Sequence, residues 1–157
     1  MRASRGFTYI ELLFAVAILA LLATAVMPYA ELAVQRQKEV ELRRNLREIR
    51  TAIDEYKHAV EQQLIVKKAD QSSYPATLLE LVKGVENATS AIKQHMFFLR
   101  RIPRDPMNVD KQLSAEQTWG LRSSSSPPNA PAAGVDVFDV FSLSKQEGLN
   151  GISYDKW

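Results

Sequence analysis

Residues 12–30 carry no charged side chain. As a helix rising about 1.5 Å per residue, that stretch covers close to 30 Å, roughly the hydrocarbon core of a bilayer. It is long enough to span a membrane. The apolar run begins at Phe7, and a single carboxylate, Glu11, interrupts its start. A carboxylate costs on the order of 2.5–3.5 kcal/mol at mid-bilayer, less near an interface, and usually has a partner there. Glu11 is therefore the first candidate functional residue.

An ordinary secretory signal peptide or plain signal anchor is the competing reading of such a segment. In a signal peptide the small-residue cleavage site follows the apolar core. Here the small residue Gly6 lies between a basic leader and the core, so cutting there leaves the apolar helix on the product. The residues beyond the span also continue in helical register. These features, together with Glu11, favour a retained helix over a discarded one.

Read with its flanks, RGFTYIELL resembles the type III leader junction of type IV pilins and type II secretion pseudopilins. The likeness covers the basic leader 1–6, then Phe7, a glutamate at the fifth residue after the cut, the apolar helix and Pro28. It implies cleavage after Gly6 by a prepilin peptidase on the cytoplasmic side and N-methylation of Phe7. It also implies that the helix is kept as both anchor and polymer core, with Phe7, Glu11 and Pro28 as assembly residues. Physically, cutting after Gly6 creates a cationic amine at Phe7, and a carboxylate about one turn along can pair with it. Between chains, Glu11 of an incoming subunit pairing with the Phe7 amine of its neighbour would set an axial register; snorkelling of Glu11 to the interface is the plainer alternative.

Charge gives the topology. Arg2 and Arg5 precede the span and stay in the cytoplasm, placing the rest of the chain across the membrane. The whole sequence holds 20 basic and 18 acidic side chains, a balance that argues against wholesale nucleic-acid binding. Pro28 lacks an N–H and crowds the carbonyl four residues earlier, so a kink or locally opened segment is expected there.

Beyond the span the helix becomes amphipathic. Leu42, Leu46, Ile49, Ile53, Tyr56 and Val60 recur at steps of four and three, on one stripe that needs a cover. On other faces, Glu39 with Arg43, Arg44 with Glu48 and Arg50 with Asp54 stand at helical neighbour spacing. The basic cluster within 36–50 is interleaved with acids, which reads as a solvated face or subunit pairing rather than a DNA or headgroup site.

DQSSYPATLLELVKG reads as a turn and a short helix, with Thr77 as cap and Gly84 as stop. RRIPRDPMN reads as an ordered loop. Both stretches resemble the major pseudopilin of type II secretion, in which a tyrosine-proline segment leads into a short helix and a proline-aspartate-proline loop precedes the sheet. TWGLR and VFDVFSL read as strands, and residues 152–154 as a third. The Ser/Pro-rich stretch 123–134 reads as an exposed, mobile loop. The expected fold is α+β and pilin-like: a long N-terminal helix, transmembrane in its first half and amphipathic in its second, packed against a short helix and a small antiparallel sheet. The organisation is a leader over 1–6, a transmembrane half over 7–30, an amphipathic half over 31–66 and a globular head over 67–157.

The resemblance implies a calcium site in the loop after VFDVFSL. In this chain the position of the usual aspartate holds Gln146, with Lys145 beside it, leaving Glu147, Asn150 and Asp155 as the nearby oxygen donors. Calcium takes six to eight oxygens. A loop held by its own turn bonds and by Trp157 is the plainer alternative, and no other cofactor is implied.

Nothing suggests catalysis. The chain has no cysteine and two histidines, His58 and His95, without ligand spacing, and it lacks nucleophile-elbow and phosphate-loop motifs. The reading is a structural, non-enzymatic subunit of a type II secretion pseudopilus, with a pilin of a type IV pilus or DNA-uptake filament as the alternative. Its implied partners are other pilin-like subunits, the prepilin peptidase and an inner-membrane assembly platform. A membrane-anchored periplasmic binding module is a third class, in which Phe7 would never become an N-terminus.

Overall fold

The computed structural model describes residues 8–68 and 71–157, with the side chains of 25–28 excepted. The chain divides into two units, residues 1–37 and 38–157. Helix α1 (Tyr9–Glu61) contributes to both. Its 53 residues correspond to about 80 Å at the helical rise. Of the kink or locally opened segment expected at Pro28, the opened segment does not appear: α1 is helical through that position. Proline removes one bond of the ladder, and the bonds on either side carry the helix past the gap.

In the first unit every described side chain from 8 to 24 is exposed. Leu21, at 72 %, and Leu12, at 56 %, are representative. The segment satisfies the length and composition of a membrane span, and none of its described residues is buried.

The second unit forms around the predicted stripe. Leu42, Leu46, Ile49, Ile53 and Tyr56 are all buried, and Val60 packs at the edge of the same core. Burying each such side chain is worth about 1.5–3 kcal/mol, so this face holds the unit together. Helix α2 (Leu78–Lys83) adds Leu78 and Leu81 to the core. Thr77 occupies its N-cap position, but its side chain makes no capping bond. Glu80 instead reaches back, its Oε2 accepting the Ala76 N–H at 3.1 Å and the Tyr56 hydroxyl at 3.2 Å. Gly84 ends the helix with φ +79°, and an added Cβ would lie 2.7 Å from the Phe97 ring. Only glycine fits that turn.

Among the described residues, four strands form two separate antiparallel ladders. Strand β1 (Val85–Glu86) pairs with β2 (His95–Met96). Strand β3 (Trp119–Arg122) pairs with β4 (Asp139–Ser142), Trp119 facing Ser142 and Arg122 facing Asp139. The β3–β4 hairpin matches the two expected strands and brings Trp119 and Val140 to the core. The β1–β2 hairpin was not anticipated. The expected strand over 152–154 is not formed: a single bridge joins Glu147 to Ser153, and a 3-10 turn then takes Tyr154–Lys156. Gly151, at φ +73°, and the Gly148–Ile152 backbone bond fold that segment on itself, so it has no length left for a ladder.

Candidate assembly site

Thr8 and Glu11 define the start of α1. Glu11 Oε2 accepts the Thr8 backbone N–H at 2.8 Å and the Thr8 hydroxyl at 2.9 Å, and the Glu11 N–H donates to Thr8 Oγ1 at 3.3 Å. This is a reciprocal capping box. It satisfies two N–H groups that a helix start leaves without intrahelical partners, a need that is sharpest where water is scarce. The motif Thr-x-x-Glu is legible in the sequence as a capping box, a role beyond the amine pairing and the snorkelling weighed for Glu11. Gly6 and Phe7, the expected cleavage and methylation residues, lie outside the described residues, as does the Pro28 side chain.

In the second unit, several charged residues of α1 reach across the fold. Glu39 and Arg43 do not make the expected pair: Glu39 Oε1 accepts the Leu149 N–H at 2.7 Å and the Tyr154 hydroxyl at 3.0 Å. The Arg43 guanidinium lies 4.3 Å from the centre of the Trp157 ring. Arg50 likewise leaves Asp54, its Nε donating to Asp139 at 2.7 Å. No ion pair joins Arg44 to Glu48; Lys57 and Glu61, 3.4 Å apart, pair at that spacing instead. The long side chains follow the fold because acceptors on the packed segments are better placed than neighbours on a solvated helix face. His58 lies 3.3 Å from Glu61, and His95 stacks on Phe97.

The two segments that resembled a family pattern pin the hairpin. The Pro75 carbonyl accepts the Val137 N–H at 2.8 Å, and Tyr74 meets Phe138 edge-on with ring centres 5.0 Å apart. In the second segment, the Pro103 carbonyl takes the Trp119 indole N–H at 2.8 Å and the Arg104 carbonyl takes the Asn45 amide at 2.9 Å. Asp105 is buried, accepting the Ser142 hydroxyl at 2.6 Å and the Met107 N–H at 2.8 Å; burial nevertheless raises its pKa. The loop is ordered, as expected.

The root of the Ser/Pro-rich stretch departs from the expectation of an exposed loop. Residues 127–135 are exposed, but Ser123 is buried. Asp136, 2 % exposed, accepts the hydroxyls of Ser123 at 2.5 Å and Ser124 at 2.6 Å, the Ser124 N–H at 3.0 Å, and the hydroxyl of Ser72. Burial pushes this carboxyl up, yet the four donors outweigh it and leave its pKa at about 2. Lys67 donates to the carbonyls of Ser72 and Tyr74, and burial lowers its pKa.

The calcium donors nominated from sequence lie in the turns of the closing segment. Asn150 Oδ1 accepts the Ile152 N–H at 3.1 Å, and the Gln146 carbonyl accepts the Tyr154 N–H at 3.0 Å. Glu147 sits in the bridge to Ser153, and Asp155 lies in the closing 3-10 turn with Oδ1 buried and unpartnered. Among the described residues, no three Asp, Glu, His or Cys side chains converge in a way that could hold a metal ion. One buried oxygen does not make a site for a cation that takes six to eight.

With this geometry in place, comparison with known proteins gives what the chain is similar to. Residues 1–27 match the prokaryotic N-terminal methylation motif, so the N-terminal segment is type IV pilin-like. Along its length the chain is similar to the type II secretion system core protein G of Dickeya chrysanthemi, at 28 % identity over 158 aligned residues that cover 96 % of both chains. No solved structure matches the chain at significant similarity. The long helix and small antiparallel sheets are consistent with a pilin-like fold.

Proposed function

We propose that the chain is a non-enzymatic structural subunit of a type II secretion pseudopilus. The observation that carries this reading is the extent of the similarity to core protein G, which continues through the second unit rather than stopping at residue 27. A prepilin peptidase cuts after Gly6, and Phe7 becomes the methylated N-terminus. The apolar part of α1 holds the subunit in the inner membrane, with the leader cytoplasmic and the second unit periplasmic. At an assembly platform, the exposed apolar surface exchanges lipid for the helices of neighbouring pilin-like subunits. Glu11, already ordered by Thr8, pairs with the Phe7 amine of the adjacent subunit and sets the register. Growth of the filament then drives export.

A clean deletion in the source organism tests the assignment. The expected result is accumulation of normally secreted proteins inside cells that keep their surface pili. Loss of pili with unchanged export would instead assign the chain to a type IV pilus or DNA-uptake filament.

A further inference from the structure

The last segment of the chain, residues 144–157, has few regular backbone pairings and yet closes tightly. Several of its oxygens are committed to bonds within the segment. The Gly148 carbonyl accepts the Gly151 N–H at 2.9 Å, and the Ile152 carbonyl accepts both the Gly148 N–H at 2.9 Å and the Trp157 indole at 3.2 Å. The segment packs against β4, and side chains of α1 also fix it to the rest of the second unit. Glu39 takes the Leu149 N–H and the Tyr154 hydroxyl, Arg43 covers the Trp157 ring, and Arg50 Nη2 donates to the Trp157 carbonyl at 2.9 Å.

We infer that Glu39 and Arg50 close the segment 144–157 onto α1 and that the segment keeps its fold without calcium. The chemistry is that of a charge clamp. Glu39 is buried, 5 % exposed, and a buried carboxylate is costly unless its lone pairs are occupied. The Leu149 N–H and the Tyr154 hydroxyl supply two charge-assisted bonds that exist only when the segment is closed. Opening the segment leaves the carboxylate without them. Arg50 acts at the other end, where one guanidinium joins β4 to the Trp157 carbonyl through fixed, planar donors. A divalent ion would have to compete with turn bonds already made by Asn150 and by the Gln146 and Ile152 carbonyls. The inference concerns folding of the second unit and stands apart from the proposed secretion role.

Amide hydrogen exchange and thermal unfolding of the full chain in detergent micelles test it, in a chelator and in about 1 mM calcium, the range of weak extracellular sites. The expected result is the same melting temperature and the same protection of the Leu149 and Tyr154 amides in both. In Glu39→Ala, exchange at Leu149 should accelerate about tenfold or more with and without calcium, while Glu39→Gln, which keeps an acceptor, should stay within a few-fold of the unsubstituted chain. Protection or melting that depends on calcium would overturn the inference, as would unchanged exchange in Glu39→Ala. If that variant fails to fold, the comparison of the unsubstituted chain with and without calcium decides.

Discussion

Arg50 and Asp139 are 89 positions apart and meet at 2.7 Å, Nε to Oδ1. The same guanidinium also donates to the Val140 carbonyl at 3.0 Å, so the C-terminal part of α1 is fastened to both the side chain and the backbone of β4. The pair is partly exposed, and its Coulomb attraction alone would be small. Its geometry is what matters: three acceptors around one planar donor.

Replacing Arg50 with alanine should therefore destabilise the second unit by about 1–3 kcal/mol, the cost of charge-assisted bonds lost together. Arg50→Lys keeps the charge but not the fork and should recover less than half of that loss. Thermal unfolding followed by circular dichroism checks both. A lysine variant as stable as the parent would show that charge, not geometry, holds the contact.

Asp136 and Asp105 should titrate in opposite senses. The Asp136 pKa, about 2, is below the unfolded value of roughly 3.9, so in that window the unfolded state binds more protons. The stability it contributes is fully present above about pH 4 and is lost as pH falls toward 2. Asp105 is shifted upward, so the folded state takes its proton first and stability from this group rises as pH falls through its folded pKa. Asp136→Asn should flatten the acid limb of the stability curve and cost about 1–3 kcal/mol at neutral pH, since an amide cannot accept from three hydroxyls and an N–H at once. Carboxyl carbon shifts across a pH titration check the assignment, and an Asp136 midpoint near 4 would refute it.

Thr8 and Glu11 allow the two roles of the carboxylate to be separated. Thr8→Ala breaks the cap and should cost about 0.5–2 kcal/mol of helix stability while leaving the charge for assembly. Glu11→Gln keeps an acceptor for Thr8 and removes the charge. Filament yield in cells should fall sharply for Glu11→Gln and only slightly for Thr8→Ala. The reverse order would mean that capping, not pairing with a neighbour, is the purpose of Glu11.

Intact-mass analysis of the chain extracted from membranes should give a single species beginning at Phe7 and carrying one added methyl group. A chain beginning at Met1, or one without the apolar helix, would exclude the processing proposed above.

Much of this was legible because it is periodic. The stripe from Leu42 to Tyr56 repeats with the helical turn, and the strands around Gly120 and Val140 show enough β-branched and aromatic residues to be found. The β1–β2 hairpin escaped notice because two-residue strands have no alternation to read. It is shaped by its loop instead, where Asn87 Oδ1 takes the Thr89 N–H at 2.9 Å and Lys93 adopts φ +51°. The partners of Glu39 and Arg50 were illegible for a different reason. Spacing along a helix identifies near neighbours, whereas Tyr154 lies 115 positions from Glu39 and is brought there by the packing of everything between. The segment 152–154 misled through its composition, since isoleucine and tyrosine serve a tight turn beside Trp157 as well as they serve a strand.

The exposed apolar surface of α1 sets how the subunit can be stored. A chain presenting residues such as Leu12, Phe14 and Leu21 to its surroundings has no low-energy state as a dispersed solute. If it waits in a bilayer, its reservoir is two-dimensional, and the number available for growth scales with membrane area rather than cell volume. Elongation would then slow as copies per unit area are drawn down, even when total expression is unchanged. Recruitment would be a problem of lateral diffusion.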